Sequence, residues 1–141
     1  MSDVGEECRQ LAAGLAERVF DLREVLLDER SDSTAYAEAA ESIAEADRVI
    51  VTAYVPASAG SSEDALPEPL RLLLAETVAE KPTVLISFGN PYLLAAAPEV
   101  GSYMLAWGDR DVSQRAAVAA LFGEEAISGR LPIELPPFHA V

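Results

Sequence analysis

A chain of 141 residues, half of them apolar, has room for one ordinary domain and enough hydrophobic side chain to bury a core. Its 24 carboxylates outnumber 10 basic side chains, and the formal charge of −14 repels phosphate backbones and argues against a nucleic-acid partner. Cys8 and His139 are each alone, so an internal disulfide, a cysteine-based zinc cluster and a histidine-rich metal site are excluded, and no metal or cofactor is expected.

The first ten residues, MSDVGEECRQ, are acidic where a secretory leader would be basic. No run reaches the roughly 18 apolar residues that a membrane span needs. Glu6 and Glu7 beside Cys8 would raise its thiol pKa, so a buried helix position suits it better than a nucleophile's role. From 6 to about 29, Cys8, Leu11, Leu15, Val19, Leu22 and Leu26 recur at helical spacing, which predicts one long amphipathic helix. SDSTAY then supplies capping residues, and a second, alanine-rich helix runs to about 46. RVIVTAY, 48–54, has the β-branched density of a strand buried on both faces.

The stretch 55–69 is a loop of Pro, Ser, Gly and acids, followed by a helix with Leu70, Leu73, Leu74 and Val78 on its buried stripe. A second strand, 83–88, delivers the turn Gly89-Asn90-Pro91. A short helical turn comes near 92–96, then a third strand at 102–107. In the last helix Asp111 and Gln114 have capping-box spacing, and Gly123 is placed to end it. ISGRLPIELP reads as a turn and a short extended segment. Helices alternating with doubly buried strands predict an α/β three-layer sandwich with a mostly parallel, flavodoxin-like sheet.

None of G-x-G-x-x-G, the P-loop, G-x-S-x-G or H-E-x-x-H occurs. Glu63 with Asp64, and Asp109 with Asp111, are carboxylate pairs, but acids ahead of helix starts are better explained by the helix dipole. Position is more informative than motif, because open α/β sheets bind beyond the carboxyl ends of their strands. The loops at 55–67, 89–92 and 108–111 should share that edge. Asn90, Tyr92, Asp109, Arg110 and Asp111 are therefore the candidate cleft or interface residues, with Tyr92 and Trp107 as aromatic surface. The dense acids read as a solvated surface or as adaptation to high salt.

In order and spacing, ADRVIVTAY, KPTVLISFGNPYLL and SYMLAWGDRDVSQRAAVAALFGEEAISGRLPIELPP resemble the C-terminal domain of family 3 glycoside hydrolases over 33–137. The likeness is greatest to the branch of bacterial β-N-acetylglucosaminidases that carry this domain behind a TIM barrel. The resemblance implies that the nucleophilic aspartate and the histidine acid/base lie on that barrel, which this chain does not contain. A catalytic glutamate known from β-glucosidase relatives maps onto no residue here, and the family's tail runs on where this chain ends FHAV. The implied protein is a non-catalytic domain, inactive alone, whose partner is the barrel and which meets carbohydrate only through its parent. Self-association of the isolated domain is expected, since separation exposes its former interface. A free-standing small-molecule or protein-binding module of the same fold is the alternative. A domain donating a catalytic acid is the third reading.

Overall fold

The computed structural model describes residues 8–56, 65–135 and 137–138; Glu63, Asp64, His139 and much of the 55–67 loop lie outside them. In chain order come α1 (Arg9–Ala16), α2 (Ser33–Glu45), β1 (Val49–Ala53), α3 (Glu68–Glu80), β2 (Thr83–Ser87), a 3-10 turn (Pro91–Ala96), β3 (Ser102–Leu105) and α4 (Asp111–Leu121). The strands form one parallel sheet in the order β1-β2-β3, with Val51 opposite Leu85 and Leu85 opposite Tyr103.

Alternation along each strand splits the core in two. Ile86 and Phe88 meet Leu11 and Leu15 of α1 and Ala117 and Val118 of α4 on one face. Leu85 and Ala53 meet Leu66, Leu74, Leu93 and Ala97 on the other. α1 packs on α4, and α2 lies along α3, so helices cover both faces of the sheet. The expected three-layer α/β architecture with a parallel sheet is the one observed, with each strand one to two residues shorter than its apolar run.

Local signals explain most boundaries. Asp32 caps α2 by accepting a hydrogen bond from the Ala35 N–H at 3.0 Å. α3 opens with Pro67 at its N-cap and Glu68 in its first turn, where the helix dipole favours an acid. Gly123 ends α4 at φ +68°; its N–H donates to Ala120 O and that of Glu124 donates to Ala119 O, the paired bonds of a Schellman motif. Cys8 is buried beside α1, as its sequence context predicts.

Two expectations fail. The long helix predicted over 6–29 is helical at Arg9–Ala16, and residues 19–28 form neither helix nor strand. α1 stays helical where Leu11 and Leu15 have α4 and the sheet to pack on; beyond them Phe20, Leu22, Val25 and Leu26 are exposed. Periodicity makes a helix only where the apolar stripe has a partner. Arg18 closes the helix end, donating through Nη1 to Gly14 O at 2.8 Å and through Nε and Nη2 to Glu124.

The capping box at Asp111 and Gln114 is the second failure, for Arg110 is the N-cap and no side chain caps it. Gln114 is buried and reaches across the molecule instead. Its Oε1 accepts from the Leu11 N–H at 2.9 Å, and its Nε2 donates to Asp109 O at 2.7 Å. An orphan donor in the first turn of α1 is thus satisfied from α4.

Candidate functional site

All three strands release their chains at one edge, and backbone hydrogen bonds continue the pairing beyond the regular strands. Phe88 N donates to Ala53 O, Asn90 N to Val55 O and Ala106 N to Ser87 O, all at 2.8–2.9 Å. Tyr54 and Phe88 stack there with ring centroids 4.8 Å apart. A Cβ at Gly89 would lie 2.3 Å from Val55 O, so glycine is required by the close approach of the neighbouring chain.

The Gly-Asn-Pro turn belongs to the architecture. Asn90 is buried, with the extended backbone that Pro91 imposes on its predecessor. Its Oδ1 accepts from the Tyr92 N–H at 2.9 Å and caps the 3-10 turn, while its own carbonyl accepts from Ser87 Oγ at 2.5 Å. Pro91 O accepts from the Tyr103 hydroxyl at 2.8 Å. Burial pushes the Tyr103 phenol up to about 12, against a smaller opposing effect of the Ser87 hydroxyl. The buried strand β2 thus delivers a turn whose polar groups lock neighbouring chain segments together.

The other candidate residues reach the surface. Tyr92 is half-buried; Asp109, Arg110 and Asp111 are exposed on the loop leaving β3. Asp111 occupies the first turn of α4, and Arg110 O accepts from the Ser113 and Gln114 N–H groups. Tyr92 and the 109–111 loop thus follow adjacent strands at the same edge, where Asn90 is buried. Apolar groups join them: Trp107, expected there as aromatic surface, is 54% exposed, and Val112, which the sequence reading did not single out, is 64% exposed. Trp107 takes φ +50°, the sole positive φ at a non-glycine among the described residues. Gly108 N–H closes a tight turn around it by donating to Ala106 O at 2.6 Å. Trp-Gly directly after a strand was the available sequence signal, but it says nothing of the backbone angle.

An indole, a phenol, two carboxylates and a guanidinium at one edge make a surface for contact, through stacking and hydrogen bonds. The apolar face of α1 is no rival docking surface, since Leu11 and Leu15 lie in the core. Among the described residues no group of three or more His, Cys, Asp or Glu could hold a metal ion, and no helix is long and apolar enough to cross a membrane.

No curated protein matches this chain. Among solved structures it is similar to the fungal multi-domain GH3 β-N-acetylglucosaminidase, described as having a GCN5-related glucosamine N-acetyltransferase region. The two share 24% identity with a TM-score of 0.75, over 96% of this chain and 15% of that one. The likeness shows the fold, and the chain spans about a sixth of that structure's length. The profile of the glycosyl hydrolase family 3 C-terminal domain matches residues 4–139, nearly the whole chain, and with a parallel three-stranded sheet beneath that match the chain belongs to this family of C-terminal domains.

Proposed function

We propose that this domain serves a β-N-acetylglucosaminidase without carrying the catalytic groups, packing on the parent's TIM barrel with the carboxyl edge of its sheet and forming one wall of the cleft there. The observation that carries this reading is Trp107. A left-handed backbone costs an L-residue about 1–2 kcal/mol, and here it holds an indole out toward solvent, with Val112 exposed nearby in sequence. Held residues of this kind cluster at sites of contact with ligands and partners. Tyr92, Asp109, Arg110 and Asp111 supply the polar rim of the same edge, which suits either a sugar's hydroxyl groups or the loops of a barrel. Family membership implies a multi-domain parent and supports the same assignment.

The test is an assay with a chromogenic N-acetylglucosaminide on the 141-residue chain and on the parent enzyme. The isolated domain should give no turnover. In the parent, Trp107→Gly and Tyr92→Asp should each lower activity at least tenfold, while the isolated variants melt within a few degrees of the native domain. A parent that keeps its activity and its interdomain packing with both changes would remove the carboxyl edge from the interface. Turnover by the isolated domain that survives repurification would overturn the non-catalytic assignment.

A further inference from the structure

We infer that the amino edge of the sheet, where the strands begin, is a second docking surface, and that its occupant is a basic amphipathic helix of another protein. Two helix ends mark this edge. α2 ends at Glu45, just before β1 begins, and Lys81, just before β2, donates through Nζ to Ala44 O at 3.0 Å. α4 starts beyond the carboxyl end of β3 and runs back over the sheet, so its end at Leu121 lies at the amino edge too, on the opposite face. Arg18 ties the chain to the end of α4 through Glu124, and Arg23 ties it to the end of α2 through Glu45. Residues 19–22 thus pass from one face of the sheet to the other at the amino edge, pinned on both sides.

What this segment presents is apolar. Phe20 is fully exposed, and Leu22 is exposed beside it in the chain. Phe122, at the C-cap of α4, is exposed as well, with the Arg18 guanidinium 5.9 Å from its ring centroid. One arginine therefore fixes Phe122 relative to the segment that carries Phe20. Exposed apolar groups gathered at one edge, and held there by ion pairs, mark a contact surface where scattered ones would not. The edge lies at the far end of the sheet from Tyr92 and Trp107, so the inference stands apart from the barrel's assignment.

Charge selects the occupant. Asp21 and Glu24 on the same segment, and Glu125 beyond Phe122, are exposed and make no ion pair among the described residues. Of the bases at this edge, Arg18, Arg23 and Lys81 are engaged by Glu124, Glu45 and Ala44 O, and Arg48 is exposed. The apolar centre is therefore rimmed by unpaired carboxylates. A second copy of this chain would bring its own −14 to that rim, and anionic lipid headgroups are repelled from it as well. A helix whose apolar stripe meets Phe20, Leu22 and Phe122, with lysines or arginines along its flanks, is complementary to both the centre and the rim.

The experiment titrates the isotope-labelled full chain with a synthetic amphipathic helix of leucine and lysine, and with a peptide of the same composition whose order leaves no apolar stripe. The amphipathic helix should bind roughly tenfold tighter or more, shift the amides of 18–23 and 121–124, and lose affinity as NaCl rises. Phe20→Ser, at a fully exposed position, should keep the melting temperature and weaken binding by about tenfold; Phe122→Ser should act in the same direction, and Tyr92→Asp should leave binding unchanged. Equal affinity for the two peptides, or binding that is indifferent to both phenylalanine changes, overturns the surface. Three results overturn the assigned occupant. The first is a doubled mass in sedimentation that Phe20→Ser abolishes, which assigns the edge to a second copy. The second is co-sedimentation with vesicles of phosphatidylglycerol and phosphatidylcholine that the same change abolishes, which assigns it to lipid. The third is hydrogen exchange at 19–22 that is fast in this chain and protected in the parent enzyme alone, which assigns it to the barrel.

Discussion

Replacing Gln114 by leucine keeps the side-chain volume nearly constant and removes its hydrogen bonds to the Leu11 N–H and Asp109 O, which tie three segments together. Gln114 is 2% exposed, and the Leu11 N–H it satisfies belongs to a residue that is 4% exposed, so water cannot take its place. A buried donor left unpaired costs about 1–3 kcal/mol. The bond to Asp109 O ends near the surface and contributes about 1 kcal/mol more. The expected loss is about 2–4 kcal/mol. At roughly 3 °C per kcal/mol for a chain of this length, the melting temperature should fall by about 6–12 °C. Thermal and urea unfolding followed by circular dichroism measure it, with an unchanged m-value showing that the effect lies in stability. Gln114→Glu keeps the acceptor for Leu11 but turns the donor toward Asp109 O into a second acceptor, so it should also destabilise. A leucine variant within 0.5 kcal/mol of native would show that α1 is held by apolar packing alone.

Gly89→Ala should cost at least about 2–3 kcal/mol or prevent folding, because its methyl would fall 2.3 Å from a backbone oxygen that is fixed by its own hydrogen bond to Asn90 N–H; expression yield and melting temperature check it. Tyr103 titrates at about 12 in the folded chain, above its unfolded value near 10. Its contribution is therefore complete below pH 10 and lost as pH rises toward 12. Tyr103→Phe should flatten that alkaline decline, and absorbance titration of the phenolate should show one late component. Raising NaCl should raise the melting temperature, since the Debye length falls from about 30 Å at 0.01 M to about 3 Å at 1 M and screens the mutual repulsion behind the −14 charge. A melting temperature flat across that range would mean that the acids are locally compensated.

The sequence by itself determined the class of fold and the place of each strand. RVIVTAY, TVLISF and SYMLAW are dense in the β-branched and apolar residues of a covered strand, and the helices before and after them carry their own caps, Asp32 and Gly123. These signals are local, so they survive without coordinates. It also determined the edge on which function was sought, because parallel strands must all end there. Only the tertiary structure decided what depends on distant partners. The stripe through Val19, Leu22 and Leu26 has a helix's spacing, yet it forms no helix, because α4 offers no surface beyond Leu121 and Phe122. Gln114 has a cap's spacing, but a bond to a residue 103 positions away engages it instead. Asn90 is a cleft or interface candidate in the sequence and is buried in the structure, its oxygens accepting from the Tyr92 N–H and the Ser87 hydroxyl. Trp107 is placed in the third strand by its sequence, yet that strand ends at Leu105 and the chain turns sharply at Trp107. In each case the residue's chemistry was legible, and its partner was chosen by contacts between segments far apart in the chain.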